Sequence, residues 1–113
     1  MRFMVIVKAT KDSEAGKLPS TELLTAMGKF NEELVKAGVM LAGEGLHPSS
    51  KGVRVKFSDG KQTVIEGPFA ETKEQLAGFY LIEARDLNDA IQVASRIPSA
   101  RYGSIEVRPV MEF

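Results

Sequence analysis

The hydrophobic positions along this chain follow two different periods, which divide it into short strands and two amphipathic helices. Residues 2–9 and 77–84 are apolar at both odd and even positions, a pattern that is typical of a central strand covered on both faces. Residues 39–46 begin as a strand and lose their apolar character at Gly43. In residues 104–110, Ile105 and Val107 lie on one predicted face and Glu106 and Arg108 on the other.

Two further segments repeat their apolar residues with a helical period. Ser20 is a suitable N-cap for a helix that runs to about Ala37 and stops at Gly38. Asp86 can cap a second helix, which Pro98 would end. The predicted buried stripes are Leu23, Met27, Phe30 and Leu34 in the first helix, and Leu87, Ala90, Ile91, Ala94 and Ile97 in the second.

A β-hairpin is the clearest local prediction. The segments VRVKFS (53–58) and KQTVIE (61–66) are separated only by Asp59 and Gly60. An Asp-Gly pair between two such segments favours a type I′ turn, so the two strands should pair in antiparallel fashion.

The resulting order is β, α, β, a β-hairpin, β, α, β. Right-handed crossovers then predict one domain over residues 1–113 with a ferredoxin-like α+β fold, βαββαβ with an inserted β-hairpin. Both helices would cover one face of the sheet. The other face is expected to carry Met4, Ile6, Tyr80 and Ile82, and such an apolar patch predicts a symmetric dimer with a partly polar cavity between its sheets.

Composition narrows the classes of partner. Fifteen basic and fifteen acidic side chains give a formal net charge of zero, so no long-range field favours nucleic acid. The chain has no cysteine, which excludes disulfides and is compatible with a reducing compartment. The apolar residues 3–7 are too few for a signal sequence or a membrane span. We therefore expect a cytoplasmic protein that contacts neither membrane nor nucleic acid.

The segment EGPFAETKEQLAG (66–78) carries a cluster of charged residues. Local rules can explain part of it, since Gly67-Pro68 ends a strand and Thr72 to Gln75 fits a capping box. A functional interpretation also stands: Glu66 or Glu71 could act as a base while Lys73 binds an anionic ligand oxygen.

Three candidates lie outside that segment. His47, the one histidine, follows Glu44 by three residues and could form a proton-transfer pair with it, or could be an ordinary solvated side chain. Arg108 could orient an acidic ligand, or could pair with Glu106 across the dimer as a structural charge. Arg54, Lys56 and Lys61 are best explained as a charged edge that opposes aggregation. No spacing suited to a metal site is present, and no cofactor is expected.

The segments GEGLHPSS (43–50), EGPFAETKEQLAGFYLIEARDLNDAI (66–91) and RIPSARYGSIEVRPV (96–110) resemble the DGPF group of YCII-related proteins. The resemblance implies a dimeric α+β barrel built on the ferredoxin-like fold. Two departures affect the site: the group's first aspartate is replaced by Glu66, and the first helix lacks the histidine that YCII relatives are thought to pair with aspartate.

Two hypotheses for function follow. One is an enzyme or small-molecule-binding homodimer whose candidate site residues are Glu44, His47, Glu66, Glu71, Lys73 and Arg108. The other is a non-catalytic accessory protein. The resemblance permits a link to an extracytoplasmic-function sigma factor, because relatives are often encoded beside such factors.

Overall fold

The computed structural model describes residues 1–69 and 75–112. Six strands and three helices occur among them. The strands are β1 (Arg2–Lys8), β2 (Met40–Gly45), β3 (Val53–Ser58), β4 (Lys61–Glu66), β5 (Leu76–Glu83) and β6 (Ile105–Pro109). The helices are α1 (Lys11–Glu14), α2 (Thr21–Lys36) and α3 (Leu87–Ser95), and 3-10 turns lie at Ser49–Lys51 and Pro98–Tyr102. The sequence pattern missed α1, which Thr10 caps.

Four strands form an antiparallel sheet in the order β2, β5, β1, β6. The two central strands, β5 and β1, are the two whose odd and even positions are both apolar, as predicted. The assignment of Tyr80 and Ile82 to the uncovered face is wrong. Val5 pairs with Tyr80 and Phe3 with Ile82, and directly paired residues share a face, so Tyr80 and Ile82 lie under the helices.

The uncovered face instead carries Met4, Ile6, Phe79 and Leu81, which are all half-buried, and we call it the open sheet face. Apolar residues at both odd and even positions identify a central strand, but they do not show which set of positions faces the helices. The register of β1 against β5 decides that.

The core lies between the sheet and the two longer helices. α2 begins after the Ser20 cap, as predicted. Of its predicted buried stripe, Phe30 and Leu34 are buried, whereas Leu23 and Met27 are half-buried. In α3 the prediction is partly wrong: Leu87 and Ile91 are 49% and 47% exposed, while Val93 is buried. The helix therefore lies on the sheet by its Ala90, Val93 and Ala94 face, where two small alanines permit close approach. None of the described helices is long and apolar enough to cross a membrane.

β3 and β4 form a separate two-stranded sheet, which we call the arm. Asp59 and Gly60 both have positive φ, as a type I′ turn requires, and this confirms the predicted hairpin. Every residue of both strands is exposed, including Val55 (51%) and Phe57 (73%). The radius of gyration, 15.7 Å, exceeds the roughly 13 Å of a compact chain of this length, because the arm projects from the rest of the chain.

Tyr80 predicts a specific response to high pH. Its hydroxyl donates to Asn31 Oδ1 at 2.6 Å, and burial raises the pKa of the phenol, an effect that this hydrogen bond partly offsets. A Tyr80→Phe variant should lose about 1 kcal/mol of unfolding free energy at pH 7, because Asn31 loses a donor.

The raised pKa means that the unfolded chain ionises at about pH 10, before the native protein does. The contribution of Tyr80 is therefore complete below pH 10 and declines as the pH rises through the folded pKa. Urea unfolding at several pH values should show the gap between wild type and Tyr80→Phe narrowing above pH 10. A constant gap from pH 8 to 11 would contradict this account.

Candidate functional site

A groove of about 510 Å³ opens at one end of the four-stranded sheet, where β2 ends and β5 begins. This volume is in the range of small-molecule sites. Its apolar lining consists of Leu46, Pro48, Val53, Phe69 and Leu76. Its polar lining includes His47, Ser49, Lys51, Arg54 and Gln75.

The turn at Ser49–Lys51 forms one wall of the groove and is anchored at two points. Ser49 donates its backbone N–H to Glu14 Oε2 at 2.7 Å, and its hydroxyl accepts the N–H of Phe69 at 3.1 Å. Gly67 comes so close to this turn that a Cβ atom there would overlap the Ser49 carbonyl group. The wall is therefore fixed between α1 and the segment that follows the arm.

Arg54 extends from the base of the arm over the ring of Phe69. Its guanidinium carbon lies 3.9 Å from the ring centroid, within cation–π range. The sequence analysis explained Arg54 only as part of a charged edge. Stacking on Phe69 instead holds this arginine against the groove, and Lys56 and Lys61 remain on the exposed part of the arm.

Gln75 is the most unusual polar residue of the groove because it is only 5% exposed. Its Nε2 donates to the carbonyl oxygen of Phe69. Its Oε1 is buried, and no hydrogen-bond partner for it occurs in the described part of the chain. A buried acceptor without a donor costs about 1–3 kcal/mol, so this oxygen is suited to accept a hydrogen bond from a ligand.

Among the described residues, the structure separates several that the sequence proposed as one site. His47 is exposed and lines the groove. Glu44 is paired with Phe79, which places it on the open sheet face, and Glu66 is exposed at the end of β4. Arg108, paired with Met4, is exposed on the open sheet face too. Glu71, Lys73 and most of the proposed capping box lie outside the described residues.

The charges on β6 form ion pairs within the chain. Glu106 lies 3.4 Å from Lys8 Nζ and 3.8 Å from Arg108 Nε. Of the two roles left open for Arg108, these contacts favour the structural one. The pairing occurs inside one chain, however, and not across a dimer as the sequence suggested.

Sequence reasoning overlooked several residues of the groove. The sequence pattern predicted Gln75 only as part of a capping box, and it predicted no role for Ser49 or Phe69. No spacing rule identifies a polar residue that becomes buried in a connecting segment, because its burial depends on what packs over it.

The chemistry of the groove favours an anion. His47, Lys51 and Arg54 line it, and the described lining includes no acidic side chain. Among residues 1–69 and 75–112, no group of three or more histidine, aspartate or glutamate side chains is placed to hold a metal ion.

The chain is similar in sequence to a curated relative and in fold to a solved structure. It is 42% identical over 86 residues to "Uncharacterized protein R00369" of Rhizobium meliloti (strain 1021). The matched region covers 74% of this chain and 69% of that protein. Its fold resembles that of 5-chloro-2-hydroxyhydroquinone dehydrochlorinase (TftG) from Burkholderia phenoliruptrix AC1100, solved in complex with 2,5-dihydroxybenzoquinone. That likeness has a TM-score of 0.57 at 15% identity and covers 100% of this chain and 96% of the other, so it concerns the fold alone.

The chain also matches a family model. The model described as "YCII-related domain" matches residues 1–113. Because this match covers the whole chain, the protein belongs to the YCII-related family.

Proposed function

We propose that this YCII-related protein binds or transforms a small molecule, and that the groove beside Gln75 is part of its site. The observation that carries the proposal is the buried Gln75 Oε1, which has no donor among the described residues and belongs to a side chain that lines the groove. A purely structural connection would gain nothing from burying that oxygen. A ligand with an O–H or N–H group would satisfy it.

A catalytic role would rest first on His47, because it lines the groove and its side chain type transfers protons near neutral pH. The fold shared with a dehydrochlorinase is compatible with such a role. Glu44 and Glu66 remain candidates for catalysis. Since they lie outside the groove of a single chain, a second subunit would have to bring them to it.

We also propose that the functional form is a dimeric α+β barrel. Two apolar surfaces of the described chain are uncovered: the open sheet face, and the arm face made by Val53, Val55, Phe57 and Val64. An isolated two-stranded hairpin is marginally stable in water, so the arm would gain stability from a covering surface. A second copy offers one, because its open sheet face is also apolar.

Two finer assignments belong to this proposal. The Glu66-Gly67-Pro68-Phe69 segment supports a place in the DGPF group, with glutamate in the position of aspartate. The absence of cysteine supports a cytoplasmic location.

The Gln75 oxygen provides the direct test of ligand binding. A panel of metabolites screened by thermal unfolding should contain a compound that raises the wild-type Tm by about 5 °C at ten times its Kd. Gln75→Leu keeps a similar volume and removes the acceptor, so this increase should largely disappear while the unliganded stability changes by about 1 kcal/mol.

Gln62→Leu is the matched control, because Gln62 is exposed on the arm and lies outside the groove lining. The control should respond to the compound as the wild type does. A broad panel without any hit would count against a small-molecule function, and equal responses of Gln75→Leu and wild type would remove Gln75 from the site.

A further inference from the structure

We propose that the groove selects a small, flat carboxylate that also carries a hydroxyl or N–H donor, an inference that rests on the ligand-binding function proposed above. Three properties of the groove support it: basic side chains without an ion pair among the described residues, a stacked guanidinium group, and one buried acceptor oxygen.

Charge is the first property. The chain as a whole is neutral, and many of its basic side chains have acidic partners, among them Lys8 and Arg108 with Glu106 and Arg2 with Glu112. Lys51 and Arg54 both line the groove, and neither forms an ion pair with any described residue. The described lining of the groove therefore carries positive charge on a neutral protein, and an anionic ligand would supply a counter-charge.

Shape is the second property. A guanidinium group that stacks on a ring keeps its N–H groups in its own plane, where they can bind both oxygens of a carboxylate. Arg54 is held in this way by Phe69 at 3.9 Å. The apolar side chains Leu46, Val53 and Leu76 also line the groove and suit the faces of a flat ring.

The acceptor is the third property. Gln75 Oε1 has no donor among the described residues, and a carboxylate has none to offer. A ligand that satisfies both Arg54 and Gln75 must therefore combine an anionic group with a hydroxyl or N–H group. Hydroxybenzoates are the simplest probes with this combination.

The experiment compares three probes by titration calorimetry: 4-hydroxybenzoate, the uncharged 4-hydroxybenzamide, and benzoate, which lacks the donor. For 4-hydroxybenzoate, with ten heavy atoms, a wild-type Kd on the order of 1 mM is expected. Each of the other probes should bind about tenfold more weakly, since each loses one of the two polar interactions.

Variants then assign the interactions to residues. Arg54→Gln should weaken 4-hydroxybenzoate binding about tenfold and leave 4-hydroxybenzamide binding unchanged, and Arg54→Lys should give an intermediate effect. Lys56→Gln is the control, because it removes the same charge from the same side of the arm outside the groove. It should bind all three probes as the wild type does.

The possible outcomes distinguish failure of this inference from failure of the proposed ligand-binding function. If 4-hydroxybenzamide binds as tightly as 4-hydroxybenzoate, or if Lys56→Gln weakens binding as much as Arg54→Gln, the selection for a carboxylate is wrong and ligand binding stands. If none of the probes binds but an uncharged or cationic metabolite does, the inference is wrong again. If nothing binds at all, the proposed function is lost with it.

Discussion

A Leu81→Asp variant is expected to behave as a 12.3 kDa monomer in light scattering, whereas the wild type should have about twice that mass at micromolar concentration. Leu81 lies on the central strand β5, between Ala42 and Met4 on the open sheet face. If two such faces meet in the dimer, each copy of the variant would bury a carboxylate without a partner. The cost is about 3–5 kcal/mol for each charge, which is enough to dissociate a typical dimer.

Leu87→Asp makes the same chemical change on the opposite layer of the molecule. Leu87 is 49% exposed on α3, so this variant should remain a dimer. Circular dichroism should show both variants folded. A monomeric wild type would refute the dimer outright, and a dimeric, folded Leu81→Asp would show that the open sheet face is not the interface.

The largest expected loss of stability comes from Phe3→Ala. Phe3 is 1% exposed and belongs to the core between the sheet and the helices. Truncation of a buried phenylalanine costs about 3–5 kcal/mol, because the loss of apolar burial adds to the cavity that remains. Since small domains are stable by about 5–15 kcal/mol, the urea midpoint should fall sharply.

Ile91→Ala provides the comparison for Phe3→Ala. The helical period placed Ile91 in the buried stripe of α3, but the side chain is 47% exposed. Its replacement should therefore cost about 1 kcal/mol or less, well below the loss at Phe3. A loss of 3 kcal/mol at Ile91 would mean that the sequence pattern was right and the observed packing of α3 wrong. The two variants should be compared at equal protein concentration, because dimerisation also contributes to apparent stability.

The candidate site was less predictable than the fold. His47 was identified because its side chain chemistry is uncommon and the chain has only one histidine. Gln75, Phe69 and Arg54 could not be identified in this way, since amides, phenylalanines and arginines have many ordinary roles. Their significance arises from contacts between segments that are distant along the chain, such as the one between Arg54 on the arm and Phe69.

The sequence by itself determined the strands, the two longer helices and their order, because helix caps, the Asp-Gly turn and hydrophobic periods act over a few neighbouring residues. It also indicated that β1 and β5 are the central strands. Tertiary structure alone decided which face of each strand is buried, since strand register depends on pairing across the sheet. It also decided which polar residues meet at the groove. Tyr80 and Gln75 illustrate both cases: the pairing of β1 with β5 places Tyr80 in the core, and the burial of Gln75 leaves its oxygen without a described partner.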